Sequence, residues 1–246
     1  MIEREESALE RLDKLLASTG RWSRREVKEL VRQGRVRADG RVVLKPEEKL
    51  DPAASLTVDG APVDFATFVY LMLHKPAGLL SATEDRDQPT VLDLLPPELK
   101  RRGLFPVGRL DKDTTGLLLL TDDGDLAHRL LSPKKHVDKV YLAQVEGRTD
   151  RADAAALAAG LVLGDGLRCL PAGLEPLGDG SRCLVTLREG KYHQVKRMLA
   201  ARGKPVVSLH RLSMGTLTLD EGLKPGQWRF LTPQEEEELR RLVTST

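Results

Sequence analysis

The stretch GRLDKDTTGLLLLTDDG, residues 108–124, constrains this chain more than any other. Four consecutive leucines, 117–120, offer water no polar face and so read as a buried strand. Directly ahead of them Arg109, Asp111, Asp113, Thr114, Thr115 and Gly116 crowd onto a tight turn. Two readings of that turn compete. Asp111, Asp113, Thr115 and Gly116 fall at the first, third, fifth and sixth places of a calcium loop, with Asp122 at the twelfth. Such a loop needs flanking helices and ligand oxygens at its ninth and twelfth places. Pro106 and Gly108 oppose a helix on the approach, the ninth place is Leu119, and the twelfth lacks the longer Glu. No metal is therefore expected. Asp113 reads as a turn-stabilising residue, with Thr114 and Thr115 helping to hold the bend. Asp111 is left as a single carboxylate presented by a strand-anchored turn.

The buried strand has company. FVYLMLHKPAG, DKVYLAQVEG and SRCLVTLREG are further short apolar or alternating runs that end in turn chemistry. Helical patterns fall between them, in TVLDLLPPEL, DLAHRLLSP, RADAAALAAG and HQVKRMLAARG. This interleaving predicts an α+β domain built on one large sheet. A terminal helix is expected after Thr232, with Pro233 at its first position.

The first 64 residues have a different texture. SALERLDKLLAST carries Leu9, Leu12, Leu15 and Leu16 at helical spacing. SRREVKELVRQG opens with a capping box, Ser23 and Glu26, and closes on Gly34. Its stripe of Val27, Leu30 and Val31 leaves Arg24, Arg25, Lys28 and Arg32 facing outward. RVRADGRVV, turning at Asp39-Gly40, and ASLTVDG add short strands. DGAPVDFATFV, with Pro62, separates two folding units, so the domains are expected at 1–64 and 65–246.

The net charge of +2 hides segregation. From Arg21 to Arg41 eight bases face three acids, and from Arg188 to Arg211 seven bases face Glu189 alone. Two basic zones suit a polyanion touched at two places. No run approaches the ~18 apolar residues of a membrane span, and MIEREESALE is acidic with no apolar signal core after it, so the cytoplasm is expected. Cys169 and Cys183 stand in no metal pattern and read as a reduced, buried pair.

A lone carboxylate, with no metal cluster, no Ser–His pair and no Gly-rich phosphate loop, can serve as general base or nucleophile. Either role needs its charged form, which a nearby cation favours. The source of that cation is REGKYHQVKRMLAARG. On a helical wheel Val195, Met198, Leu199 and the stem of Arg202 share one side, while His193, Lys196, Arg197 and Ala200 share the other. His193 is read as a structural hydrogen-bonder, because nothing supplies a nucleophile for it to activate.

Residues 10–63 resemble the S4 RNA-binding domain, carried by RLDKLLAST…SRREVKELVRQGRVRADGRVV. GRLDKDTTG, KVY at 139–141 and EGKYHQVKRM at 189–198 resemble the three motifs of the pseudouridine synthases, over residues 70–235. An S4 domain ahead of that core is similar to the bacterial ribosomal branch, and YHQVKRM is more like its small-subunit than its large-subunit type. The resemblance implies a small S4 domain of helical hairpin and short strands. Behind it should come a catalytic domain with a large mixed or antiparallel sheet flanked by helices.

By the same resemblance Asp111 is the catalytic carboxylate and Arg109 enters the RNA where the target base has left. Tyr141 would stack on the flipped uracil, Lys139 would stand near the entry, and Leu110 and Val195 would line the pocket floor. Lys196, standing where the wider superfamily often has Arg, would pair with Asp111; as a point charge it cannot grip a carboxylate bidentately. Arg197 and the S4 cations Arg24, Arg25, Lys28 and Arg32 would contact RNA. The implied reaction breaks the glycosidic bond, turns the base and forms a C–C bond. No redox equivalent or group donor enters, so no cofactor is expected. The implied partner is structured ribosomal RNA, free or within a pre-ribosomal particle, met by a monomer. Large-subunit rRNA as substrate, or a non-catalytic RNA-binding assembly factor, are the alternatives.

Overall fold

The computed structural model describes residues 9–19, 22–63, 68–132 and 135–244 of the chain. The chain separates into two compact units. The first takes the described residues up to Phe68 together with Leu95–Leu104; the second takes Val69–Leu94 and everything from Phe105 onward. The boundary expected between 64 and 65 falls on residues outside those described. The excursion Leu95–Leu104, expected in the second domain, belongs with the first. A partition by position assumes that a domain is contiguous in the chain, which packing does not require.

In the first unit α1 (Leu12–Ser18) and α2 (Arg24–Arg32) form the helical pair. Leu9, expected on the first helix, is exposed ahead of it, because Glu10–Arg11 pairs in extended form with Lys49–Leu50 and the helix can begin only at Leu12. The capping box of α2 is present: the Glu26 amide donates to Ser23 Oγ at 3.2 Å, and the Ser23 amide to Glu26 Oε2 at 2.6 Å. Strands β1 (Val36–Ala38), β2 (Arg41–Val42), β3 (Leu56–Val58) and β4 (Ala61–Pro62) pair antiparallel in the order β2-β1-β3-β4. The β1–β2 turn has left-handed Asp39 (φ 48°) and Gly40 (φ 82°), the two-residue geometry that matches strand twist. Leu12, Leu16, Val27, Leu30, Val31, Val36 and Leu56 close one core. Arg24, Arg25, Lys28 and Arg32 all stay exposed on α2, with Arg32 paired to Glu29 at 2.7 Å. Arg21, the first of the basic cluster, lies outside the described residues.

The second unit is organised by a nine-stranded mixed sheet. Its main strands are β5 (Tyr70–Lys75), β6 (Thr115–Thr121), β7 (Lys139–Val145), β8 (Gly173–Leu177), β9 (Arg182–Leu187), β10 (Val206–Met214) and β11 (Trp228–Phe230). They run in the order β8-β9-β7-β10-β6-β5-β11. Only β10 and β6 are parallel on this path, joined at His210–Thr115 and Arg211–Gly116. The helices are α3 (Gly124–Leu131), α4 (Arg151–Ala158), α5 (Gln194–Ala201) and α6 (Pro233–Thr244). All four leucines of β6 are fully buried. Leu117 and Leu119 pack with Tyr70, Met72, Leu126, Leu130, Leu239 and Val243, so α3 and α6 cover that face. TVLDLLPPEL does not make the single helix its periodicity suggests. It splits into a 3-10 turn, Val91–Leu94, and a short helix, Pro97–Lys100, because Pro96 and Pro97 disfavour the helical conformation ahead of each. Cys169 and Cys183 are free and buried. No helix among the described residues is long and apolar enough to cross a membrane.

Candidate active site

The loop that carries Asp111 is fastened from below. Lys75, the last residue of β5, is fully buried and faces Gly116 across the β5–β6 ladder. Its ammonium donates to the carbonyls of Pro76 (3.0 Å), Asp111 (3.1 Å), Lys112 (3.2 Å) and Thr114 (2.9 Å). Burial pushes its pKa down to about 8. Ser81 holds the preceding residue from another side: its Oγ donates to the Leu110 carbonyl at 2.9 Å and accepts from the Leu110 amide at 3.1 Å. The Thr114 amide closes the turn on the Asp111 carbonyl at 3.0 Å.

Where the loop enters β6, Gly116 takes φ +106°, and a β-carbon there would lie 2.6 Å from the Arg211 backbone nitrogen. Only glycine lets the parallel neighbour come this close.

Helix α5 brings the partners of that carboxylate. Lys196 Nζ lies 3.1 Å from Asp111 Oδ2, and His193 Nε2 lies 3.4 Å from Asp111 Oδ1. His193 is the N-cap of α5 in left-handed conformation (φ 50°), and its ring stacks on Tyr192 at 3.8 Å. The His193 imidazole therefore meets the carboxylate directly, a contact that its reading as a structural hydrogen-bonder did not specify.

Asp113 also departs from expectation. It reaches Lys196 at 2.6 Å, closer than Asp111 does, so Lys196 bridges two carboxylates. Burial works against the Lys196 ammonium, but its hydrogen bonds to Asp113 and Asp111 prevail and raise its pKa. The same bond from Lys196 lowers that of Asp113. The turn itself is made by backbone and by Lys75, which frees the Asp113 side chain for the ion pair.

The remaining residues expected around the carboxylate gather here, Arg197 excepted. Arg109, Leu110, Asp111, Tyr141, Val195 and His193 line one cavity, and Leu110 and Val195 take the places expected of its lining. An adjoining cleft of about 550 Å³ shares Arg109, Leu110, Asp111 and His193 and adds Leu80, Ser81 and Tyr192. Tyr141 is largely buried on β7, opposite Arg211 of β10. Lys139 lines a neighbouring cleft of about 390 Å³ with Arg109 and Tyr141; it is buried, bonds the Val137 carbonyl at 3.0 Å, and has its pKa lowered by burial and by Arg211. The strand's alternation turns 139 to the same face as 141. Arg197 is engaged by Asp165 at 2.5 Å.

Sequence reasoning missed Lys75, Ser81 and Gly116 as builders of the site. Their signals were a lysine ending an otherwise apolar strand and a glycine opening another. Gln194 was missed as well. Buried on α5, it donates to Glu189 at 2.6 Å and, through its Oε1, accepts from the Lys191 amide at 3.0 Å, which fixes the segment leading into the helix.

A carboxylate on a strapped loop, an ammonium and an imidazole from one helix and an aromatic ring on the cavity wall make an arrangement that can serve acid–base or nucleophilic chemistry. Residues 69–201 match the family described as RNA pseudouridylate synthase, and residues 10–55 match the S4 domain. The chain is 51% identical over 229 residues to an uncharacterised RNA pseudouridine synthase of Bacillus subtilis, covering 92% of this chain and 96% of that protein. It is 44% identical over 233 residues to the ribosomal small subunit pseudouridine synthase A of Pseudomonas aeruginosa, covering 92% and 98%. A crystal structure of a pseudouridylate synthase superposes with a TM-score of 0.66 at 38% identity, covering 94% of this chain and 99% of that one. The chain belongs to the RNA pseudouridine synthase family and carries an S4 domain at its N-terminal end.

Proposed function

We propose that this protein isomerises a specific uridine to pseudouridine in ribosomal RNA, with small-subunit rRNA as the substrate and Asp111 as the reacting carboxylate. The observation that carries the reading is the Asp111 carboxylate held between Lys196 at 3.1 Å and His193 at 3.4 Å, on a cavity that Tyr141 also lines. The likeness to small-subunit synthases over most of both chains supports the choice of RNA. In the reaction the N1–C1′ bond breaks, the base turns, and a C5–C1′ bond forms; the proton leaving C5 is balanced by one gained at N1. Attack by Asp111 on sugar or base, and proton abstraction from the sugar, all call for the same ionised oxygen.

A paired base cannot reach such a cavity, so the target is extruded, with Arg109 entering the space it leaves. Stacking on Tyr141 is worth ~1–3 kcal/mol, about the scale of the unstacking cost it offsets. Thr114 Oγ1, buried without a hydrogen-bond partner among the described residues and lining the same cavity, offers the bound nucleotide a polar contact. Arg24, Arg25, Lys28 and Arg32 of the S4 unit supply phosphate contacts to structured RNA, free or within a pre-ribosomal particle. The enzyme works as a cytoplasmic monomer.

Mapping pseudouridines in rRNA from cells with and without the gene tests the assignment. Loss of one small-subunit pseudouridine is expected. Loss of a large-subunit one would move the substrate to the other rRNA, and an unchanged map would leave only an assembly role.

A further inference from the structure

Tyr192 is the most exposed aromatic side chain among the described large hydrophobic residues, at 73%. An isolated exposed ring is unremarkable on a protein surface, but this one is organised. Its ring lies parallel to that of His193, with centroids 3.8 Å apart and planes inclined by 17°. His193 holds its place in left-handed conformation, a backbone state that costs a non-glycine residue energy and persists only where surroundings enforce it. The enforcement is visible. Gln194, buried on α5, ties the Lys191 amide at 3.0 Å, and His193 itself meets Asp111 at 3.4 Å. The two stacked rings are thus fixed to the helix that supplies Lys196.

Tyr192 and His193 line the cleft of about 550 Å³ together with Arg109, Lys112 and Lys191. Tyr192 does not line the adjoining cavity where Tyr141 stands, whereas Asp111, Arg109 and His193 line both. One aromatic surface is therefore largely buried beside the carboxylate. A second remains in water one step away, on a cleft where Arg109, Lys112 and Lys191 outnumber the carboxylates of Asp85 and Asp111, with one ring face already covered by an imidazole.

We infer that the Tyr192–His193 stack is a platform for the nucleobase next in the RNA chain to the extruded uridine. The inference rests on the reading of the site as an RNA-modifying one. The chemistry favours a nucleobase: every base has a π-face, aromatic stacking is tolerant of base identity, and the surrounding cations suit the phosphates on either side. With one neighbour captured on Tyr192, the uridine is delivered to Asp111 already oriented, so the ring acts in binding and not in the chemical step. Tyr192 is a positioning residue.

Two measurements on the full-length chain test this. In the first, Tyr192→Ala, Tyr192→Phe and Tyr192→Trp are compared in steady-state turnover of a small-subunit rRNA transcript. The expected result is a KM raised about tenfold or more for Ala, with kcat within about twofold, and near-normal KM for Phe and Trp. A ring that merely props His193 would lower kcat when removed, and that pattern, or an unchanged KM, overturns the inference. In the second, a short RNA with 2-aminopurine beside its single uridine is titrated with each variant. Quenching by wild type, Phe and Trp and its loss with Ala are expected; equal quenching by Ala overturns the platform. Should the transcript yield no pseudouridine while the quenching pattern holds, the substrate reading fails and the platform stands.

Discussion

The buried ammonium of Lys75 lies 3.1 Å from the backbone carbonyl of Asp111, so the residue proposed to react is held through its main chain by the end of a neighbouring strand. Three further carbonyls share that ammonium, which makes it the hub of the loop. Lys75→Met keeps the stem and removes the hub. The expected outcome is kcat lowered about 100-fold, the scale at which small misplacements tell. Affinity for RNA should stay within about threefold, and the loss of stability should be about 1–3 kcal/mol. Wild-type kcat in a folded Lys75→Met protein would show that the loop holds itself.

Lys196 is shared, and the two carboxylates it bridges should respond in opposite ways. Asp111→Asn removes the oxygen proposed to react and should cost about 10²–10⁴ in kcat while leaving RNA binding within a few-fold. Asp113→Asn leaves Asp111 with an undivided Lys196, and kcat should stay within about threefold of wild type. Single-turnover assays on rRNA transcripts read both. A large defect in the Asp113 variant, or appreciable turnover by the Asp111 variant, would reassign the reacting group.

On the S4 unit Arg24, Arg25, Lys28 and Arg32 are all exposed along α2. Replacing all four with Ala should weaken binding and make the plot of log Kobs against log salt shallower by about 2–4, at ~0.7–0.9 per phosphate contact. The helix core, Val27, Leu30 and Val31, is untouched by these changes, so circular dichroism should not move. An unaltered slope would remove this face from the RNA interface.

What could be read from the sequence follows how local the determinants are. The capping box of α2, the Asp39-Gly40 turn and the leucine run of β6 depend on near neighbours, and each was legible. Asp111, Tyr141 and Lys196 were legible as motif residues, yet their geometry was not. Nothing in the order of residues says that Lys196 leans toward Asp113, or that His193 adopts a left-handed conformation to reach Asp111. Lys75 was invisible for the same reason: its meaning depends on a loop 36 residues on in the chain. The burial of Lys139 was not legible, because the strand's alternation turns it inward with Tyr141, and a lysine is by habit assigned to the surface. The excursion Leu95–Leu104 could not be assigned at all from a linear division.

Gly116 joins two of these levels. Gly116→Ala would set a methyl against the Arg211 backbone at φ +106°, in the parallel contact that fixes β6 beside β10. The variant should be destabilised by about 3 kcal/mol or more, a fall in Tm of roughly 6–12 °C for a domain of this size. Thermal unfolding is the direct measurement. A Tm within about 2 °C of wild type would mean that the strands can part without cost.

Acid stability of the second unit should be governed by Glu235 in large part. Arg229 of β11 donates to both Glu235 oxygens at 2.8 Å and to Asp220 at 2.7 Å, while Glu235 also accepts the Thr232 amide at 2.7 Å to cap α6. The hydrogen bonds from Arg229, working against burial, lower the Glu235 pKa from 4.5 to about 2. The folded value lies below the unfolded one, so the unfolded state binds the proton first as pH falls. The stabilisation is therefore complete above pH ~4.5 and is lost progressively as pH drops through about 2. A few kcal/mol at most is at stake, since the pair is partly exposed. Glu235→Gln should lower stability at neutral pH and make the decline between pH 4.5 and 2 visibly shallower in urea titrations. If wild type and variant lose stability in parallel across that window, the charge on Glu235 is not what anchors α6 to the sheet.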